Sequence, residues 1–74
     1  MTVIDATYLK CPLPVLRLRK ALEAEAPGAV LELITTDPVA VVDIPHFCHA
    51  AGHEIMAQLE KGHAHHWMIR AGGT

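Results

Sequence analysis

The 74-residue chain is predicted to fold as an α/β (α+β) two-layer sandwich, β-α-β-α-β-β, with a four-stranded mixed sheet and two helices on one face. Three observations predict it. Short apolar or β-branched runs stand at 2–5, 29–35, 53–60 and 64–70. Two longer segments with apolar residues at helical spacing separate the first three runs. Proline and glycine punctuate the joints, in "PG" at 27–28, "TDP" at 36–38 and "KGH" at 61–63.

Each element has its own justification. "TVID" is short and β-branched, a strand. The first helix is expected from Pro12 to Ala26, because proline suits a first helical position, where a missing N–H costs nothing. Val15, Leu18, Leu22 and Ala26 then recur on one face, with Arg17, Lys20 and Glu23 outward. "AVLELIT" is the second strand. The second helix is expected over 38–51, with Asp37 as N-cap and Pro38 as first residue. "DIP" at 43–45 predicts a kink or a restarted turn capped by Asp43, since Pro45 removes a helical hydrogen bond. "HEIMAQLE" sets Ile55, Ala57 and Leu59 against Glu54, Gln58 and Glu60, the pattern of a half-buried strand. "AHHWMIR" pairs back as the last strand, and "AGGT" is a loose tail.

Size and composition bound the function. The chain is one small domain, 1–74, near the lower limit for a single core that folds alone. Its apolar runs are too short to span a bilayer, so no membrane role is expected. "MTVIDAT" shows no basic segment followed by an apolar one, which predicts a cytoplasmic protein. Two cysteines 36 residues apart in a reducing compartment do not suggest a structural disulfide. Lys10, Arg17, Arg19 and Lys20 supply four of the six basic side chains, a cluster suited to docking or anion attraction. The plainer account is a solvated helix face. With only Tyr8, Phe47 and Trp67 as aromatics, a base-stacking platform is not expected, nor is direct nucleic-acid binding.

The chemistry centres on Cys11, in "YLKCPLPVLRLRKAL" at 8–22. A thiol at the N-cap or first turn of a helix meets unpaired N–H groups and the positive end of the dipole. With Lys10 beside it, and Arg17 or Arg19 if either points back, the expectation is a lowered thiol pKa. Pro12 and Pro14 stiffen the turn and so support the site structurally. The alternative is a helix start with a small buried residue. No second cysteine lies two or three residues on, so a dithiol exchange has no resolving thiol close in sequence. A protease-like use would need an oriented histidine and an oxyanion hole, and the histidines begin only at His46. A lone activated thiol on a rigid exposed turn suits accepting a group as Cys–S–X and handing it on, with sulfane sulfur as the natural cargo.

These residues resemble the TusA-like (SirA-like) sulfur-carrier family over essentially the whole chain. "CPLP" at 11–14 matches its Cys-Pro-x-Pro signature, with Asp5 and Leu9 where the family has D-x-x-G-L-x-C-P. "TDP" at 36–38, "DIPHFC" at 43–48 and "GHE" at 52–54 follow in family order and spacing. The resemblance implies the same β-α-β-α-β-β fold and a persulfide on Cys11. It also implies loading by a cysteine desulfurase or rhodanese-like donor and delivery to a downstream acceptor protein. Family acceptors include tRNA thiolation, molybdenum-cofactor sulfuration and sulfur metabolism. The Cys11 thiolate would attack the outer sulfur of a donor persulfide, Lys10 would tune the sulfur's charge, and Arg17, Arg19 and Lys20 would dock a partner. Tyr8 replaces the family glycine. A tyrosine does not easily adopt φ > 0, so the loop entering Cys11 is expected to be reshaped, the sulfur shielded, or partner fit altered.

The remaining candidates carry less. Cys48, beside Phe47, is expected to be a small buried residue rather than a second sulfur site, and Phe47 and Trp67 to be core. His46 and His49 lie one helical turn apart, and His63 and His65 are placed on one strand face. Neither pair completes a four-ligand spacing, so no metal and no cofactor is expected. "AGGT" mimics the Gly-Gly end of ubiquitin-like carriers, but Thr74 holds the terminal carboxylate. A monomer is the simplest state for a carrier that shows its thiol to two partners in turn. The competing class is a non-catalytic regulatory or interaction module, in which the basic first helix binds a protein or RNA and Cys11 only packs. An exposed, unpaired thiol favours the carrier.

Overall fold

The computed structural model describes residues 1–72. In chain order the elements are β1 (Thr2–Ala6), α1 (Leu13–Glu23), β2 (Val30–Thr35), α2 (Ala40–Ala51), β3 (Glu54–Lys61) and β4 (Ala64–Arg70). This is the expected β-α-β-α-β-β two-layer arrangement, with sheet order β1-β2-β4-β3. β1 pairs parallel with β2, as a helical crossover between them requires. β4 pairs antiparallel with both β2 and β3, which makes the sheet mixed.

Alternation decides which side of the sheet is buried. Leu31, Leu33 and Thr35 of β2 stand beside Ile69, Trp67 and His65 of β4 on the helix-covered face. Leu18 and Leu22 of α1 and Ile44 and Cys48 of α2 close over them, all at most 5% exposed. Trp67 is fully buried, and its indole N–H donates to Thr35 Oγ1 at 3.0 Å. Phe47 packs against this core.

The boundaries differ from expectation in instructive ways. α1 begins at Leu13, with Pro12 as N-cap, and it stops at Glu23 rather than Ala26. The Ala24 and Glu25 N–H groups already donate to Ala21 and Leu22, a tightened last turn that ends the helix and leaves Ala26 exposed. α2 runs unbroken through Pro45, so Asp43 lies in its first turn and caps no second helix. Burial of Ile44 and Cys48 anchors the helix on either side of the proline. In β3 a bulge falls between Ile55 and Ala57, which oppose the consecutive residues Ile69 and Met68. Ile55 therefore faces the helices while Ala57 and Leu59 turn to the open face, and Leu59 is 54% exposed. Simple alternation could not anticipate that inserted residue.

The tail is not loose as far as the described residues reach. Ala71 exchanges backbone hydrogen bonds with Gly28 and Ala29 and is buried. The Gly72 N–H donates to His53 Nδ1 at 2.9 Å. The last two residues of "AGGT", and with them the terminal carboxylate, lie outside the described residues.

Candidate functional site

The segment between β1 and α1 is built from short-range hydrogen bonds. Asp5 accepts from both the backbone N–H and the hydroxyl of Thr7, at 3.0 and 2.7 Å, closing a local turn. Those two bonds hold its carboxyl below the usual carboxylate range. The next residue, Tyr8, takes φ +65° and donates its N–H to Thr36 Oγ1 at 2.8 Å. The loop therefore keeps a left-handed residue at the position where a glycine was the family expectation. Tyr8 thus adopts the positive φ that glycine takes easily, with its N–H tied across to the segment ahead of α2. Its side chain is 89% exposed.

Cys11 follows, exposed, immediately before the N-cap. Its N–H donates to Asp37 Oδ2 at 2.7 Å. The other oxygen of the same carboxylate accepts from Val39 N at 3.2 Å, closing a local turn just ahead of α2. The helix itself starts at Ala40 rather than Pro38, and its N-cap is Val39, without a side-chain capping bond, not Asp37 as expected. Asp37 thus ties the cysteine turn to the second helix. Pro14 is buried, so it anchors the first turn of α1 in the core, while Pro12 remains exposed. The cysteine's Sγ donates to Asp43 Oδ2 at 2.8 Å.

That contact reverses an expectation. The Cys11 thiol is pushed above its ordinary value, first by its hydrogen bond to Asp43, then by desolvation and by the negative charges of Asp43 and Asp37. The helix start offers an anion fewer donors than an ordinary one. Pro12 and Pro14 carry no N–H, and the Leu13 N–H is taken by the Lys10 carbonyl at 2.8 Å. Sequence reasoning assigned Asp43 to a helix cap and so missed the side chain that touches the sulfur.

The basic residues do not form one cluster. Lys10 lines a hollow of about 200 Å³ with Tyr8, Leu9, Thr36, Asp37 and Pro38, next to the cysteine turn. Arg17 and Lys20 are exposed and one helical turn apart on α1, a spacing that puts them on one face with the exposed Leu13 and Leu16. Arg19 lies round the helix, beside Phe47, Ala51 and His53 at the other end of the helical layer. Val39, Val42 and Asp43 share a face of α2, so exposed apolar side chains border the sulfur.

Other candidates are placed elsewhere. Cys48 is 1% exposed, and burial pushes its thiol up to about 11. His63 sits in the turn between β3 and β4 rather than on the strand with His65. His65 instead contacts Gln58 and Glu60 and stacks on Trp67. Among the described residues no group of three or more His, Cys, Asp or Glu side chains is placed to hold a metal. No described helix is long and apolar enough to cross a membrane.

The family model described as Sulfurtransferase TusA matches residues 2–71. The Sulfur carrier protein TusA of Allochromatium vinosum is 43% identical over 67 residues, covering 90% of this chain and 88% of that protein. Its counterpart from Pseudomonas entomophila is 45% identical over 67 residues, covering 90% and 84%. The crystal structure of a SirA-like protein from Desulfitobacterium hafniense superposes with a TM-score of 0.84 at 30% identity, covering 97% of this chain and 99% of that one.

Proposed function

The chain belongs to the Sulfurtransferase TusA family, and on that premise we propose that it carries sulfane sulfur as a persulfide on Cys11 within a sulfur relay. The observation that carries the reading is the exposed thiol of Cys11, held on a braced turn and hydrogen-bonded only to a carboxylate, while Cys48 is buried. A cysteine desulfurase or rhodanese-like protein supplies the sulfur and a downstream acceptor protein receives it. Transfer needs no resolving thiol: Cys11 attacks the outer sulfur of the donor persulfide, and the donor cysteine leaves as a thiol. Lys10, Arg17 and Lys20, with Leu13, Leu16, Val39 and Val42 between them, form the surface that meets both partners. Arg19 stands apart from it. A monomeric, cytoplasmic carrier serving tRNA thiolation, molybdenum-cofactor sulfuration or sulfur metabolism fits this reading.

The test is intact-protein mass after incubation with a cysteine desulfurase and cysteine. Wild type and Cys48→Ser should gain one reductant-labile sulfur, and Cys11→Ser should gain none while keeping its circular dichroism spectrum. Sulfur acceptance by Cys11→Ser would overturn the proposal.

A further inference from the structure

Among the described residues, the carboxylate against the sulfur has no other side-chain partner. Asp43 is half-buried in the first turn of α2, and among the described residues it forms no ion pair with any Lys, Arg or His. Its contact is the Cys11 thiol, at 2.8 Å. The charged groups around that thiol come from three segments. Lys10 lies on its own loop, Asp37 on the segment ahead of α2, and Asp43 on α2; the first turn of α1 offers no acidic side chain. Both side chains hydrogen-bonded to Cys11 among the described residues are acidic, one at its N–H and one at its sulfur.

A thiol so placed is favoured as S–H, because a thiolate would face a carboxylate with no proton between them. The thiolate is the nucleophile, so the free protein presents its sulfur in the less reactive form. An electrophile that arrives without a cation meets that protonated state. A protein donor whose Lys, Arg or His pairs with Asp43 removes the hydrogen-bond acceptor and offsets its charge, and the thiolate then forms within the complex.

We propose that Asp43 controls the proton on Cys11, so that sulfur acceptance depends on a donor protein that engages this carboxylate through a cation. The inference rests on the carrier reading above and names the residue that selects for protein donors over small ones. The exchange balances without an external oxidant. The Cys11 S–H proton leaves, a new S–S bond forms to the donor's outer sulfur, the donor's own S–S bond breaks, and the departing donor sulfur takes up a proton. One sulfane sulfur changes carrier, with no net oxidation or reduction.

The experiment uses wild type, Asp43→Asn and Asp43→Ser, with fold checked by circular dichroism; serine is the second variant should asparagine perturb α2. Iodoacetamide alkylation of Cys11 is followed by mass against pH. Persulfide formation is timed from two donors, glutathione persulfide and a cysteine desulfurase supplied with cysteine. Alkylation at pH 7 should rise about threefold or more in both variants, as a larger thiolate fraction requires, and the profile should move to lower pH. Loading from glutathione persulfide should rise by a similar factor, and the preference of wild type for the desulfurase should fall by that factor. Unchanged or slower alkylation in both variants would overturn control of the proton. A donor preference that survives substitution would overturn the dependence on the partner. Cys11→Ser, carried alongside, separates the readings: sulfur gained by that variant defeats the carrier function, whereas the alkylation profiles judge Asp43 independently.

Discussion

Tyr8 donates its backbone N–H to Thr36 Oγ1 at 2.8 Å while holding φ +65°. One hydrogen bond between the two loops that frame Cys11 thus coincides with a backbone conformation that disfavours side chains. The conformational cost is on the order of 1 kcal/mol for a residue other than glycine. Tyr8→Gly should remove that strain and lose part of the gain to unfolded-chain entropy, leaving stability within about 1 kcal/mol of wild type. Tyr8→Val, β-branched at the same φ, should destabilise by about 1–2 kcal/mol. Urea denaturation of the two variants checks this; equal midpoints would show that φ at this position carries no strain.

Gly72 closes the other end of the structure. A Cβ placed there would lie 2.0 Å from the Gly52 carbonyl oxygen, a backbone atom that cannot swing aside. Gly72→Ala should therefore break the Gly72–His53 hydrogen bond and cost about 1–3 kcal/mol. Thermal unfolding measures the loss, and amide exchange at Gly72 should accelerate in the variant.

Cys48 makes stability depend on alkaline pH. Burial raises its thiol to about 11 in the folded chain, against about 8.5 for an unperturbed cysteine. A raised folded value means that the stabilising contribution is fully present below the unfolded pKa and is lost as pH rises through the folded one. Urea midpoints should fall between about pH 8.5 and 11, and this fall should be shallower in Cys48→Ala. Cys11, also raised, acts in the same direction.

The split of the basic residues predicts unequal roles in docking. Arg17 and Lys20 share the face of α1 that continues from the cysteine turn, whereas the exposed Arg19 borders a hollow with Phe47 and Ala51 of α2. Charge removal by Arg17→Gln or Lys20→Gln should weaken binding to a desulfurase by about threefold to tenfold, more so at low salt, with stability unchanged within about 0.5 kcal/mol. Arg19→Gln should have a smaller effect. Calorimetric titration at two salt concentrations distinguishes these outcomes, and equal losses at all three positions would refute the division.

Much of this was legible in the residues. Helical spacing placed Leu18 and Leu22 inward, and "TDP" marked the turn that leads into α2, although Asp37 closes that turn by accepting from Val39 N and the helix cap falls to Val39. "CPLP", with the motifs that follow it, pointed to Cys11 and to the family. The bulge at Ile55/Ala57 was hidden because inserting one residue leaves the composition of a strand unchanged. The early end of α1 was hidden because Ala24 and Ala26 are compatible with helix, and the tightened backbone bonds at Ala24 and Glu25 are not written in side chains.

The sequence by itself determined the order of elements, the inward positions of Leu18 and Leu22 and the identity of the cysteine, because these follow from local periodicity, turn chemistry and motif spacing. Only the tertiary structure decided what surrounds that cysteine. Asp43 lies 32 positions away along the chain, and the packing of α2 beside the start of α1 brings its carboxylate onto the sulfur. The same assembly holds Tyr8 at positive φ and carries Arg19 away from the site. A thiol that looked activated by a helix end instead has its pKa raised by a carboxylate, because at a few ångströms the charge in direct contact outweighs a helix terminus in which two prolines remove donors and the Leu13 N–H is taken.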